Sequence, residues 1–169
     1  RLLNACVYMP LGTTAHKQGR VAGENAAGGN AEFVGVLGTQ SLKVFDRVAA
    51  RTGLTHAEAE AYGFSPFSIN AQTPDHKMYF PGASVMDIRL TGDRLTQKLL
   101  GAQIIGHHGA EISKRIDIMA SALYSDLDVD QILDLDLSYN PPLSSPWDPV
   151  QTAAMEWLSR IKPKTGYNF

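Results

Sequence analysis

Residues 85–106 read VMDIRLTGDRLTQKLLGAQIIG, and their pattern decides the architecture. Within Val85–Leu90 the apolar Met86, Ile88 and Leu90 alternate with Asp87 and Arg89, the period of two that sets one face on a core and the other in water. Thr91-Gly92-Asp93-Arg94 reads as a turn and Leu99–Gly106 as the returning strand. The two form an expected antiparallel hairpin with a solvated outer face, which antiparallel sheets tolerate and parallel ones do not.

Directly downstream the period changes. From Ala110 to Tyr124 a stripe of Ile112, Ile116, Met119, Ala120 and Leu123 recurs at helical spacing, with Lys114, Arg115 and Asp117 off the stripe. Asp128 and Asp130 are expected to open a short helical turn around Ile132. The run 139–146, YNPPLSSP, cannot be regular, because three prolines remove donors and fix φ. Asp148 as N-cap and Pro149 in the first helical position then start a last helix, striped by Val150, Ala153, Ala154, Trp157, Leu158 and Ile161.

Upstream, Thr55-His-Ala-Glu58 is a capping-box pattern opening a short helix that Gly63 ends. Leu42–Phe45 and Phe64–Gln72 have strand composition, the second broken by Pro74-Asp75. The fold class is therefore α+β, an antiparallel β-sheet with packed helices.

One helix stands outside that scheme. In 10–29, PLGTTAHKQGRVAGENAAGG, the small residues Ala15, Gly19, Ala22, Gly23 and Ala26 share one face. Such a face gains little from apolar burial, and each interior glycine costs roughly 1 kcal/mol against alanine. Two readings fit: close approach of the backbone to a ligand, or tight packing on the protein's own sheet. Thr13 and Thr14 are expected to cap this helix, leaving N–H groups and the positive dipole end suited to an anion or to developing negative charge. Gly28 and Gly29 serve its C-cap, and the glycine-spaced 33–39, FVGVLGT, reads as an irregular connector.

With 44% hydrophobic and 19% charged residues and a net charge of -2, the chain has a globular composition without the basic stripe a nucleic-acid partner requires. No apolar run approaches the ~20 residues of a membrane span, and no signal peptide opens the chain, so a cytoplasmic location is expected. Cys6, the single cysteine, supports neither an intrachain disulfide nor a dithiol redox centre and is expected to be a small buried hydrophobe. The chain starts at Arg1 without an initiator Met and is expected to be a fragment of something longer.

Several segments together resemble a known family. PLGTTAHKQGRVAGENAAGG, GVLGTQSLKVFD with RTGLT behind it, HKMYFPG, LLGAQIIG, KRIDIMA and LDLSYNPPLSSPWDP are similar, over roughly residues 9 to 158, to the C-terminal part of the FAD-dependent pyridine nucleotide-disulfide oxidoreductases. Within them the resemblance is to the coenzyme A-disulfide reductase and NADH oxidase branch. It implies that residues 1–39 are the terminal piece of an FAD-binding domain and 40–169 a dimerisation domain. It implies FAD and NAD(P)H as cofactors of the intact enzyme, none of them bound by the fragment alone, since no GxGxxG occurs and the family's redox cysteine lies outside the chain. It also implies a homodimer and a small-molecule disulfide, persulfide or oxygen as acceptor.

Residue roles follow from the same resemblance. Leu11, Thr13, Thr14 and Ala15 fall at the helix start that faces the flavin. His16 falls where the thiol or disulfide substrate approaches, although its position alone reads as an exposed first-turn histidine. Tyr79, in HKMYFPG, and Tyr139, held by Pro141-Pro142, are the residues that reach the partner subunit's active site; composition alone makes Tyr79 a half-buried aromatic. Trp147 stands where several coenzyme A-linked relatives carry lysine, and an indole cannot supply that charge; it stacks on an adenine or packs under the last helix. No metal site is expected. His107 and His108 are adjacent and cannot converge on one ion, and the alternating Asp126, Asp128, Asp130, Asp134 and Asp136 lack the glycine and terminal glutamate of a calcium loop. The alternative function is a non-catalytic assembly or ligand-binding module of the same fold.

Overall fold

A computed structural model describes residues 2, 3 and 5–161. The end of the expected second domain, 162–169, lies outside the described residues, as do Arg1 and Asn4. Five strands, β1 (Gln40–Val44), β2 (Arg47–Gly53), β3 (Pro66–Pro74), β4 (Val85–Asp93) and β5 (Leu99–His107), form one antiparallel sheet in the order β1-β2-β5-β4-β3. The helices are α1 (Gly12–Ala26), α2 (His56–Ala61), α3 (Ile112–Tyr124) and α4 (Pro149–Ile161). A 3-10 turn over His108–Ala110 delivers the chain from β5 into α3.

The hairpin at 85–106 forms as its alternation dictates. Met86, Ile88 and Leu90 are buried, and Asp87 and Arg89 face outward. β4 runs on to Asp93, however, so the expected turn residues Thr91–Asp93 belong to the strand and the reversal falls on 94–97, where Asp93 N–H donates to Lys98 O at 2.9 Å. The outer face is solvated as expected, with Asp87, Arg89 and Ile105 exposed. Leu42, Ala49 and Ile105 line a shallow groove of about 610 Å³ on it, flanked by Arg51, Arg89 and Asp87.

The inner face carries the core. α3 packs on β2 and β5, α4 on β3 and β4, and α2 against β3. Burying each Ile, Leu or Met side chain contributes roughly 1.5–3 kcal/mol. The α3 stripe differs from its expected form at two places: Ala120 is only half-buried and Ala122 replaces it, while Arg115 is buried. In α4 the whole expected stripe is buried except the half-buried Ile161. Trp157 is fully enclosed, its Nε1 donating to Phe67 O at 2.8 Å and its ring edge-on to Phe67. Beneath it Gly92 is required, since a Cβ there would lie 2.6 Å from Trp157 Cζ2.

Caps fall where the sequence places them at α2 and α4. Thr55 and Glu58 form the reciprocal capping box of α2. Asp148 Oδ1 accepts from Val150 N–H at 3.0 Å while Gln151 Oε1 accepts from Asp148 N–H at 3.1 Å, the same reciprocity with different residues. β2 was not anticipated from the sequence, and the turn expected around Ile132 forms over 129–134 through successive i→i+3 bonds, Leu133 N–H to Asp130 O at 3.0 Å and Asp134 N–H to Gln131 O at 3.2 Å.

Candidate functional site

Two loops meet at one end of the sheet. The loop after β3 closes on itself: Asp75 N–H donates to Ser84 O at 3.0 Å, and Ser84 N–H donates to Asp75 Oδ1 at 2.8 Å. Asp75 Oδ2 also lies 3.1 Å from His76 Nδ1. The proline-rich loop before α4 is folded by Leu143 and Ser144 N–H donating to Asn140 O at 2.8 and 2.9 Å. Lys77 N–H donates to Pro141 O at 3.2 Å and so ties one loop to the other.

At this junction Tyr79 and Tyr139, sixty positions apart in the chain, stand near enough for Tyr79 to bear on the Tyr139 phenol. Tyr79 is 73% exposed and Tyr139 45% exposed, with the Tyr79 ring tilted against Phe80 at 5.1 Å. The half-buried position expected for Tyr79 is therefore wrong: the loop lifts it outward, and its contacts are other aromatic rings. Desolvation raises the Tyr139 phenol above the ordinary tyrosine range, and the neighbouring Tyr79 raises it further. Tyr139 consequently keeps its proton through the neutral range and remains a donor.

Under both loops sits Arg115, 5% exposed. Its Nη2 donates to Asp75 O at 2.7 Å and to Leu143 O at 3.4 Å, its Nη1 donates to Ala110 O, and its Nε lies 3.5 Å from Asp148 Oδ2. A guanidinium is suited to this, since its donors fan out in one plane toward separate acceptors. Sequence periodicity placed Arg115 off the apolar stripe and missed it. Its acceptors are main-chain carbonyls, which no sequence pattern reveals.

A second feature lies at the start of α1. The N-cap is Leu11, with extended backbone, and it makes no side-chain capping hydrogen bond. Thr13 and Thr14 therefore lie inside the first turn and do not cap it, contrary to expectation; Thr14 is buried, while Thr13, Ala15 and His16 are exposed. Leu11, Thr13 and Thr14 line a groove of about 1200 Å³ with residues 32–39, the start of β1 and the flank of α3. Ala15 lines an adjoining groove of about 870 Å³. The small-residue face of α1 packs on nothing in this chain, since a Cβ at Gly19 or Gly23 would meet no atom within 4 Å. Tight packing on the protein's own sheet is thereby overturned.

Neither groove is lined by Tyr79, Tyr139 or Trp147. Trp147 is 53% exposed and is not packed under α4. Cys6 is exposed, not buried as expected, because 5–8 run along the surface beside α1. Among the described residues no group of three His, Cys, Asp or Glu side chains is placed to hold a metal ion. Asp126 and Asp128 instead hold Lys98 at 3.2 and 3.1 Å. No helix of the described residues is long and apolar enough to cross a membrane.

Residues 39–149 match the family model of the pyridine nucleotide-disulphide oxidoreductase dimerisation domain. The chain belongs to this family. Of its relatives, the NAD(P)H sulfur oxidoreductase (CoA-dependent) of Pyrococcus furiosus is 39% identical over 146 residues, covering 85% of this chain and 32% of that protein. The coenzyme A disulfide reductase of Staphylococcus haemolyticus is 33% identical over 149 residues, covering 88% of this chain and 33% of that one. Among solved structures, the NAD-dependent persulfide reductase from A. fulgidus superposes with a TM-score of 0.88 at 38% identity, over 94% of this chain and 30% of that chain. The chain thus spans about a third of the length of the curated relatives it matches.

For this dimerisation domain the family implies FAD and NAD(P)H, and the residues present fit them unequally. The uncapped first turn of α1, opening on a groove, fits one edge of a flavin that gathers negative charge. No glycine-rich dinucleotide motif occurs to hold the rest of FAD, or NAD(P)H.

Proposed function

We propose that this chain is the dimerisation region of a homodimeric FAD- and NAD(P)H-dependent oxidoreductase that reduces a small disulfide, a persulfide or oxygen. Residues 1–39 end its FAD-binding domain and 40–169 form its dimerisation domain. FAD, when bound, supplies two-electron transfer between NAD(P)H and the acceptor. Leu11, Thr13, Thr14 and Ala15 hold the helix start against the flavin, and the dipole there favours the reduced, anionic form. His16 and Trp147 contact the substrate. Tyr79 and Tyr139 serve the active site of the partner subunit, where the Tyr139 hydroxyl donates a hydrogen bond to a thiolate or substrate sulfur.

The observation that carries this reading is the exposure of both Tyr79 and Tyr139 on two loops that Lys77 N–H to Pro141 O ties together. Two phenols from distant segments are joined at an exposed junction and share no groove with the α1 start. Surfaces that share no groove within one chain can be brought to one flavin by a second subunit, as an isologous dimer does twice over.

Tyr139→Phe in the full-length protein keeps the ring and removes the donor. Turnover is expected to fall by about 10²- to 10⁴-fold with the melting temperature nearly unchanged. Wild-type turnover with disulfide, persulfide and oxygen alike overturns the catalytic role of Tyr139. A sedimentation experiment showing only monomer overturns the dimer.

A further inference from the structure

We infer that Arg115 is the positioning residue for the tyrosine pair: a buried guanidinium that holds the 75–84 and 139–148 loops in register so that Tyr79 and Tyr139 meet. This rests on the function proposed above only for its consequence in catalysis; the geometry stands without it.

Four groups converge on this one side chain. Asp75 O belongs to the loop that carries Tyr79, Leu143 O to the loop that follows Tyr139, and Ala110 O to the turn that launches α3. Asp148, opposite Nε, caps α4 and receives Ser144 Oγ at 2.9 Å, so the fourth contact fixes where the second loop rejoins a helix. Main-chain bonding between the loops is slight by comparison, resting on Lys77 N–H to Pro141 O at 3.2 Å. With three prolines in 139–146, the second loop has few N–H groups with which to bind the first. An interior donor that reaches both backbones replaces the ladder they lack.

An ammonium cannot reproduce this. Lysine offers three donors about a single atom and no planar fork, so it satisfies one wall of the junction and leaves the others unmet. Buried carbonyls without donors are costly, and the loops part.

The test uses the full-length holoenzyme with 3-fluorotyrosine placed at position 139, in otherwise wild-type, Arg115→Lys and Asp148→Asn backgrounds, and in an Ile116→Val control for lost core packing. Fluorine NMR reads the titration of that one phenol, and hydrogen exchange reads each peptide. In Arg115→Lys the upward-shifted titration of position 139 is expected to fall back toward that of an exposed fluorotyrosine. Peptides in 75–84 and 139–148 should exchange at least about tenfold faster, with β4, β5 and most of α3 unchanged. Asp148→Asn should give the same pattern more weakly, and it serves alone if Arg115→Lys does not fold.

Titration and loop exchange like those of the wild type overturn the inference. Equal acceleration of loops and sheet also overturns it, because Arg115 would then be general core support. The failure of the proposed function is separate: if Tyr139→Phe retains full turnover while Arg115→Lys still uncouples the pair, Arg115 positions the tyrosines and the tyrosines do not serve catalysis.

Discussion

Asp93 shows how one carboxylate organises a junction of the sheet. Its Oδ1 accepts from Leu95 and Thr96 N–H at 2.8 and 2.9 Å, and its Oδ2 from Ser65 N–H at 3.2 Å, binding the β4–β5 turn to the entry of β3. Burial by itself raises its pKa; the backbone donors of Thr96, Ser65 and Leu95 outweigh that and hold it below the ordinary value. A depressed folded pKa contributes stability that is present above the unfolded value of about 3.9 and lost as pH falls through the folded one. Asp93→Asn is therefore expected to lose about 1–3 kcal/mol at pH 6, a shift of about 2–4 °C per kcal/mol at this size. The difference in melting temperature between the two proteins should shrink steadily below pH 4; a constant difference down to pH 2 would show that charge has no part in it. Arg115 and the tyrosines belong to the same scale but were legible to different degrees. Tyr79 and Tyr139 stand in recognisable segments, whereas their meeting depends on carbonyl acceptors and on a buried arginine that the helical pattern put at the surface.

Among the elements, legibility follows side-chain size. β4, β5, α3 and α4 announce themselves because large apolar residues recur at the right period, and α2 because Thr55 and Glu58 cap it through their own side chains. β2 was missed because, of its inward positions Val48, Ala50 and Thr52, only the first is a large apolar residue, too little to mark a period. Ala50 and Thr52 are small for a reason: α3 lies directly on β2. α1 was misread in its capping because the N-cap is a leucine with no acceptor to signal it. Gly92 offers a test of close packing at this scale. Gly92→Ala forces a methyl into the Trp157 indole and is expected to cost about 1–3 kcal/mol by overpacking, read as a lower denaturant midpoint with an unchanged slope. Trp157→Phe combined with Gly92→Ala should recover part of that loss by vacating the space; no recovery would place the strain in the β4 backbone at its bulge between Thr91 and Gly92.

At the scale of the molecule, a sheet covered on one face by α3 and α4 ends on one side in β1, all five residues of which are exposed. Leu42 and Val44 stand on that strand, and Phe45 follows it at 91% exposure. Its outer rim offers a row of main-chain donors and acceptors to whatever strand comes alongside. An isologous dimer stops growing once it has formed, but a β1 rim that pairs with the opposite, β3 rim of the next copy has no such limit, because each added chain presents a fresh β1 rim. A preparation of this chain by itself is therefore expected to show two kinds of association. One saturates at the dimer; the other climbs with concentration and is hastened by heating. Replacing Leu42 and Val44 with lysine should abolish the second, leaving light scattering flat above the dimer mass and the melting temperature within about 2 °C. Scattering that climbs undiminished in the lysine variant would move the blame from the β1 rim to another surface. The practical consequence concerns purification: the strand that completes the sheet is also the place where further copies of this chain are expected to add.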